Sequence, residues 1–89
     1  MTYKFLVSGK VQGVWYRKFV SENAKNAGFK GYVKNLNDGR VEAVAEIENE
    51  KRLQEFLDIL KKGSPYSVVE NIEYEPYEDE KFTDFEIRH

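Results

Sequence analysis

The sequence predicts an α+β sandwich: one antiparallel sheet carrying two helices on a single face, with a short extra strand near the C-terminal end. Three observations predict it. Apolar residues switch between period 2 and period 3.6 in the order β-α-β-β-α-β. Both helical stretches stop at a glycine, Gly28 and Gly63. Between the halves, Asp38-Gly39 separates two alternating runs, which is a strong hairpin signal because tight turns need residues tolerant of positive φ.

Taken in order, Tyr3 to Gly9 alternates with Tyr3, Phe5 and Val7 on one face, as a half-buried strand does. Beyond a loop, Tyr16, Phe19, Val20, Ala24 and Ala27 recur at helical spacing up to Gly28. Strand periodicity returns from Phe29 to Leu36 and again from Val41 to Ile47, where Val41, Ala43, Ala45 and Ile47 share a face and Glu42 and Glu46 share the other. That reads as an antiparallel pair with one wet side. Asn49 is placed to cap a second helix through Leu53, Phe56, Leu57 and Leu60, with Lys61 and Lys62 favourable at its negative end and Ser64-Pro65 after the stop. Val68 to Tyr74 reads as a strand that Pro76 ends or edges. Glu78-Asp79-Glu80 is expected to be a solvated loop, and Phe85-Glu86-Ile87 a short terminal strand. Two β-α-β halves joined by a hairpin fit the split βαβ or ferredoxin-like arrangement, with right-handed crossovers setting them side by side.

Composition narrows the function classes. The 89 residues, 40% of them hydrophobic, are expected to form one domain over residues 1–89 with one core. Cysteine is absent, so disulfides and thiol chemistry are excluded. Met1 to Lys10 lacks a secretory apolar stretch, and no run approaches the roughly 18–20 apolar residues of a membrane span, so a cytoplasmic protein without membrane attachment is expected. The net charge of −2 hides an asymmetry: residues 1 to 40 hold eight Lys/Arg against two Asp/Glu, and residues 41 to 89 hold six against fourteen. A locally positive site on a slightly acidic domain suits a small anion better than a polyanion. Val41 to Ile47 also offers no aromatic platform for RNA bases and presents Glu42 and Glu46 instead, which argues against a nucleic-acid partner.

The loop Gly9-Lys10-Val11-Gln12-Gly13-Val14-Trp15-Tyr16-Arg17 is the strongest local anomaly. Two glycines four apart free the backbone for positive φ or close approach, and the following helix opens with unsatisfied N–H groups facing the loop. Its first turn carries Arg17 and Lys18, cations that oppose the helix dipole by roughly 0.3–1 kcal/mol each. A bound anion removes that conflict. Elsewhere the chemistry is sparse. The one histidine, His89, is expected to have no catalytic duty, and the consecutive carboxylates Glu78 to Glu80 lack metal-ligand spacing, so neither a triad nor a metal site is expected. Asn35 falls on the face opposite Tyr32 and Lys34, where it can approach the start of the first helix.

Gly9 to Arg17 resembles the first signature of the acylphosphatase family, and Gly31-Tyr32-Val33-Lys34-Asn35-Leu36-Asn37-Asp38-Gly39-Arg40-Val41 resembles the second. Gly63-Ser64-Pro65 and Phe85-Glu86-Ile87-Arg88 extend the likeness along nearly the whole chain. One position departs: Ile47 stands where the second signature usually has glycine, which bears on local backbone geometry and stability. The resemblance implies hydrolysis of the carboxyl–phosphate bond of acyl phosphates to carboxylate and inorganic phosphate, without metal, cofactor or covalent intermediate. It implies that Arg17 grips the phosphoryl group with the backbone amides of Gln12, Gly13, Val14, Trp15 and Tyr16, and that Asn35 holds the attacking water. A carboxylate leaving group is a weak base, so the lack of a general acid is no obstacle. The alternative is a non-catalytic small-anion-binding or regulatory domain on the same fold, against which the presence of Asn35 weighs. A monomer is expected, since no apolar interface stripe is evident.

Overall fold

The computed structural model describes residues 1–78 and 81–89. The elements are β1 (Thr2–Lys10), α1 (Tyr16–Asn26), β2 (Gly31–Asn35), β3 (Val41–Glu46), α2 (Glu50–Lys62), β4 (Val68–Pro76) and β5 (Phe85–Arg88). They build one five-stranded sheet in the order β4-β1-β3-β2-β5. This is the α+β ferredoxin-like arrangement expected from the periodicities, with one difference. β5 runs parallel to β2, with Gly31 opposite Phe85 and Lys34 opposite Arg88, so the sheet is mixed rather than wholly antiparallel. A four-residue strand carries too little periodicity to declare its partner or direction.

The helices follow their sequence signals. Asn49 caps α2 by accepting a hydrogen bond from the Arg52 backbone N–H at 2.9 Å. Arg52 also donates through Nη2 to the Ala27 carbonyl at the end of α1, setting a cation where that helix dipole is negative. Both helices pack onto the inner sheet face presented by Phe5, Val7, Val33, Ala43 and Ala45. Phe56 of α2 anchors this core, with its ring centroid 4.9 Å from Phe5, 5.1 Å from Phe29 and 6.0 Å from Phe85. Along α1 the buried stripe is Tyr16, Val20 and Ala24, while Phe19 is only half-buried.

The outer sheet face is less wet than its alternation suggests. Tyr32, Val44 and Phe82 form a second apolar cluster there, packed against Tyr77. The segment leading into β5 brings Phe82 across the sheet, a contact with no local signature. Glu78 is exposed, whereas Asp79 and Glu80 of the expected acidic loop lie outside the described residues. Ile47 is buried in the main core, and its N–H donates to the Met1 carbonyl at 2.7 Å. Among the described residues Trp15 is the one non-glycine with positive φ, so the chain at Ile47 makes no use of a glycine conformation. Among the described residues no helix is long and apolar enough to cross a membrane.

Candidate active site

The loop between β1 and α1 is held in a conformation that its own residues do not favour. Gly13 has φ of 72°, and a side chain there would meet nothing within 4 Å, so backbone conformation alone calls for glycine. Trp15, at the N-cap of α1, has φ of 65° and ψ of 15° without a side-chain cap. A left-handed aromatic residue persists only where its surroundings over-determine it, and such positions cluster at functional sites.

Three tertiary contacts supply that constraint. Ser64, just beyond α2, donates through Oγ to the Val14 carbonyl at 2.5 Å. Tyr16 is buried and its hydroxyl donates to the Leu60 carbonyl at 2.8 Å, while burial pushes its ionisation up from the ordinary value. Gly63 makes room for it: a Cβ at that position would stand 2.6 Å from Tyr16 Cε1. On the other side, Gln12 donates through Nε2 to the carbonyls of Leu36 and Arg40, each at 2.8 Å. That clamp joins the loop to the β2–β3 hairpin beside Asn35.

The result is a cleft of about 500 Å³ lined by Val11, Gly13, Trp15, Tyr16, Arg17, Lys18, Asn35, Ile87 and His89. Arg17 projects from the first turn of α1, which holds no acidic residue, and its Nη1 donates to the Arg88 carbonyl of β5 at 3.0 Å. Asn35 ends β2 on the inner face, and among the described residues its buried Oδ1 has no hydrogen-bond partner. Leaving a buried acceptor unsatisfied costs about 1–3 kcal/mol, so this carbonyl is set to receive a donor from within the cleft. None of the backbone N–H groups from Gln12 to Trp15 donates to another backbone group among the described residues. Arg17 and the orphaned Asn35 carbonyl therefore share one opening, beside a loop whose Gln12 to Trp15 amides have no backbone partner among the described residues.

Of the residues singled out from sequence, Gly13, Trp15, Tyr16, Arg17 and Asn35 line the cleft directly. Gln12 and Val14 lie behind it, the first acting through its side chain and the second buried with its carbonyl tied to Ser64. Ile87 and His89 were not foreseen as cleft residues. His89 Nδ1 lies 3.4 Å from Arg17 Nη1, so the ring shares the opening rather than trailing from a free tail. Among the described residues, no three His, Cys, Asp or Glu side chains gather as a group that could hold a metal ion.

Fold and cleft together define a small α+β protein with a cleft that carries Arg17 and Lys18 at the start of its first helix. A sequence model of the acylphosphatase family matches residues 3–87. An acylphosphatase of Borrelia garinii subsp. bavariensis is 44% identical over 87 residues, covering 94% of each chain. The crystal structure of acylphosphatase from Bacillus subtilis superposes with a TM-score of 0.88 at 40% identity, over 99% of this chain and 98% of that one. An acylphosphatase from Coxiella burnetii gives a TM-score of 0.86 at 36% identity, over 98% and 90%. The chain belongs to the acylphosphatase family. It is a hydrolase acting on acyl phosphates.

Proposed function

We propose that hydrolysis proceeds by direct in-line attack of a water held by Asn35 on a phosphoryl group gripped by Arg17 and the loop amides. The observation that carries this reading is the orphaned Asn35 Oδ1 in the same cleft as Arg17, next to a loop whose Gln12 to Trp15 amides have no backbone partner among the described residues. Oδ1 accepts a hydrogen bond from the water and aims the water oxygen at phosphorus. As the water oxygen forms its bond to phosphorus, the bond to the acyl oxygen breaks and its electron pair leaves with the carboxylate. The water's proton passes to a phosphate oxygen. Arg17, with a planar fork, and the amides at the positive end of α1 disperse charge on the equatorial oxygens. An asparagine suits the water-holding task because a carboxylate there would repel the dianion.

A protein that merely bound anions would have no use for an acceptor aimed into a site for acceptors. The same reading treats residues 1–89 as a single functional domain, a monomer acting in the cytoplasm on small acyl phosphates, with neither cofactor nor metal. Turnover is accordingly expected to survive a chelator.

Arg17→Ala and Asn35→Ala test the assignment. Each, folded by circular dichroism, is expected to lose at least about 10²–10³-fold in kcat on benzoyl phosphate, the loss typical of deleting one transition-state contact. Substantial turnover by a folded Asn35→Ala protein would sink the water-positioning role.

A further inference from the structure

We propose that Arg88 is a positioning residue for Arg17, anchored by the Tyr32 ring on the sheet face opposite the cleft. The inference rests on the reading above in which Arg17 grips the phosphoryl group, and it adds what aims that side chain. Arg17 Nη1 donates to the Arg88 carbonyl at 3.0 Å and lies 3.4 Å from His89 Nδ1. With Nη1 engaged in this way, Nε and Nη2 have no protein partner among the described residues. That edge of the guanidinium is left to meet two anion oxygens side by side. An arginine stem is long and flexible, so the direction of its fork depends on such a second contact.

The carbonyl is only as fixed as the end of β5, a four-residue strand at the edge of the sheet. Its last side chain supplies the anchor. Side chains alternate along the strand, so Phe85 and Ile87 belong to the core and cleft side while Glu86 and Arg88 belong to the other face. There the Arg88 guanidinium carbon lies 4.2 Å from the centre of the Tyr32 ring and 5.8 Å from that of Phe82, and Nε donates to Glu86 Oε2 at 3.1 Å. The platform is itself held. Tyr32 is buried, meets Phe82 edge-on with centroids 5.9 Å apart, and donates through its hydroxyl to Glu42 Oε2 at 2.7 Å. A planar cation stacked on a fixed ring resists sliding of β5 along β2, because a slip would separate the two. Arg88 thus grips the outer face with its side chain and Arg17 with its carbonyl, which joins the two faces of the sheet through one residue.

The test measures the Kd of inorganic phosphate by NMR titration and kcat/KM for benzoyl phosphate, at a temperature where circular dichroism shows each variant folded. Arg88→Ala is expected to weaken phosphate binding and to lower kcat/KM by about ten-fold each, the scale of loss when a binding group drifts by a fraction of its working distance. Arg88→Lys, which keeps the charge without the planar stack, and Tyr32→Leu, which removes the ring, should each lose about three-fold or more. Tyr32→Phe keeps the ring face and should restore most of the affinity. In an Arg17→Ala background, Arg88→Ala should weaken phosphate binding no further, because it acts through Arg17. A role confined to stability would lower the urea midpoint and leave the phosphate affinity of the folded protein where it was. Wild-type affinity in folded Arg88→Ala, or in both Arg88→Lys and Tyr32→Leu, overturns the proposal, as does an equal loss with and without Arg17. Absence of benzoyl phosphate turnover by the wild type overturns the hydrolytic reading alone, and the phosphate affinities still decide whether Arg88 aims Arg17.

Discussion

At the residue scale, Gln12 shows how one side chain couples the two halves of the site. Its amide nitrogen bridges the carbonyls of Leu36 and Arg40, which flank the hairpin that follows Asn35. Each such neutral bond contributes about 0.5–1.5 kcal/mol net. Their larger effect is on geometry, because displacing a positioning group by about 1 Å can cost on the order of 10²-fold in rate. Gln12→Ala is therefore expected to lower stability by about 1–3 kcal/mol in urea titrations and to reduce kcat by about ten-fold or more at temperatures where it stays folded. Gln12→Glu should do no better, since a carboxylate cannot donate to two carbonyls. Full activity in Gln12→Ala would show that Asn35 holds its place without the clamp.

At the scale of elements, the two ends of α2 do different work. Its N-cap, Asn49, is remote from the cleft and satisfies a local N–H, so Asn49→Ala should cost about 1 kcal/mol of stability and leave kcat unaltered. Its C-terminal exit supports the loop. Gly63 has φ of 51° and a Cβ there would collide with the Tyr16 ring, while the adjacent Ser64 hydroxyl holds the Val14 carbonyl. Gly63→Ala is expected to cost about 2 kcal/mol or more, and to lower activity as well, because the ring must shift in order to relieve the clash. Denaturant midpoints and initial rates for the two variants separate a helix end that only caps from one that also shapes the site.

At the scale of the whole molecule, the buried Tyr16 phenol links the core to pH. Desolvation raises its ionisation above the ordinary 10.0, so between that value and the folded one the unfolded chain has lost a proton that the folded chain retains. Stability is then complete below about pH 10 and declines as pH rises beyond it, by at most about 1.4 kcal/mol per pH unit for this one group. Tyr16→Phe removes the hydrogen bond to Leu60 and should be less stable at pH 7, yet show a shallower decline between pH 10 and 11. Urea melts of both proteins across that range provide the check, and parallel declines would show that other groups control the alkaline limit.

The order of elements, the ends of both helices, the hairpin and the inward face of Asn35 were legible from the sequence, because each depends on periodicity or on a capping or turn residue a few positions away. The glycine loop with cations at the wrong end of a helix pointed to an anion site for the same local reason. Tertiary structure alone decided the rest. Ser64 reaches Val14 across 50 positions, Gln12 reaches Leu36 across 24, and Arg17 reaches the Arg88 carbonyl across 71. The parallel seating of β5, the exposure of Ile87 beside Trp15 and the covering of Tyr32 by Phe82 are of the same kind. No propensity marks such contacts in advance: a hydroxyl, an amide or a phenyl ring looks the same in sequence whether it meets water or a distant partner, and only packing of the sheet and helices chooses between them.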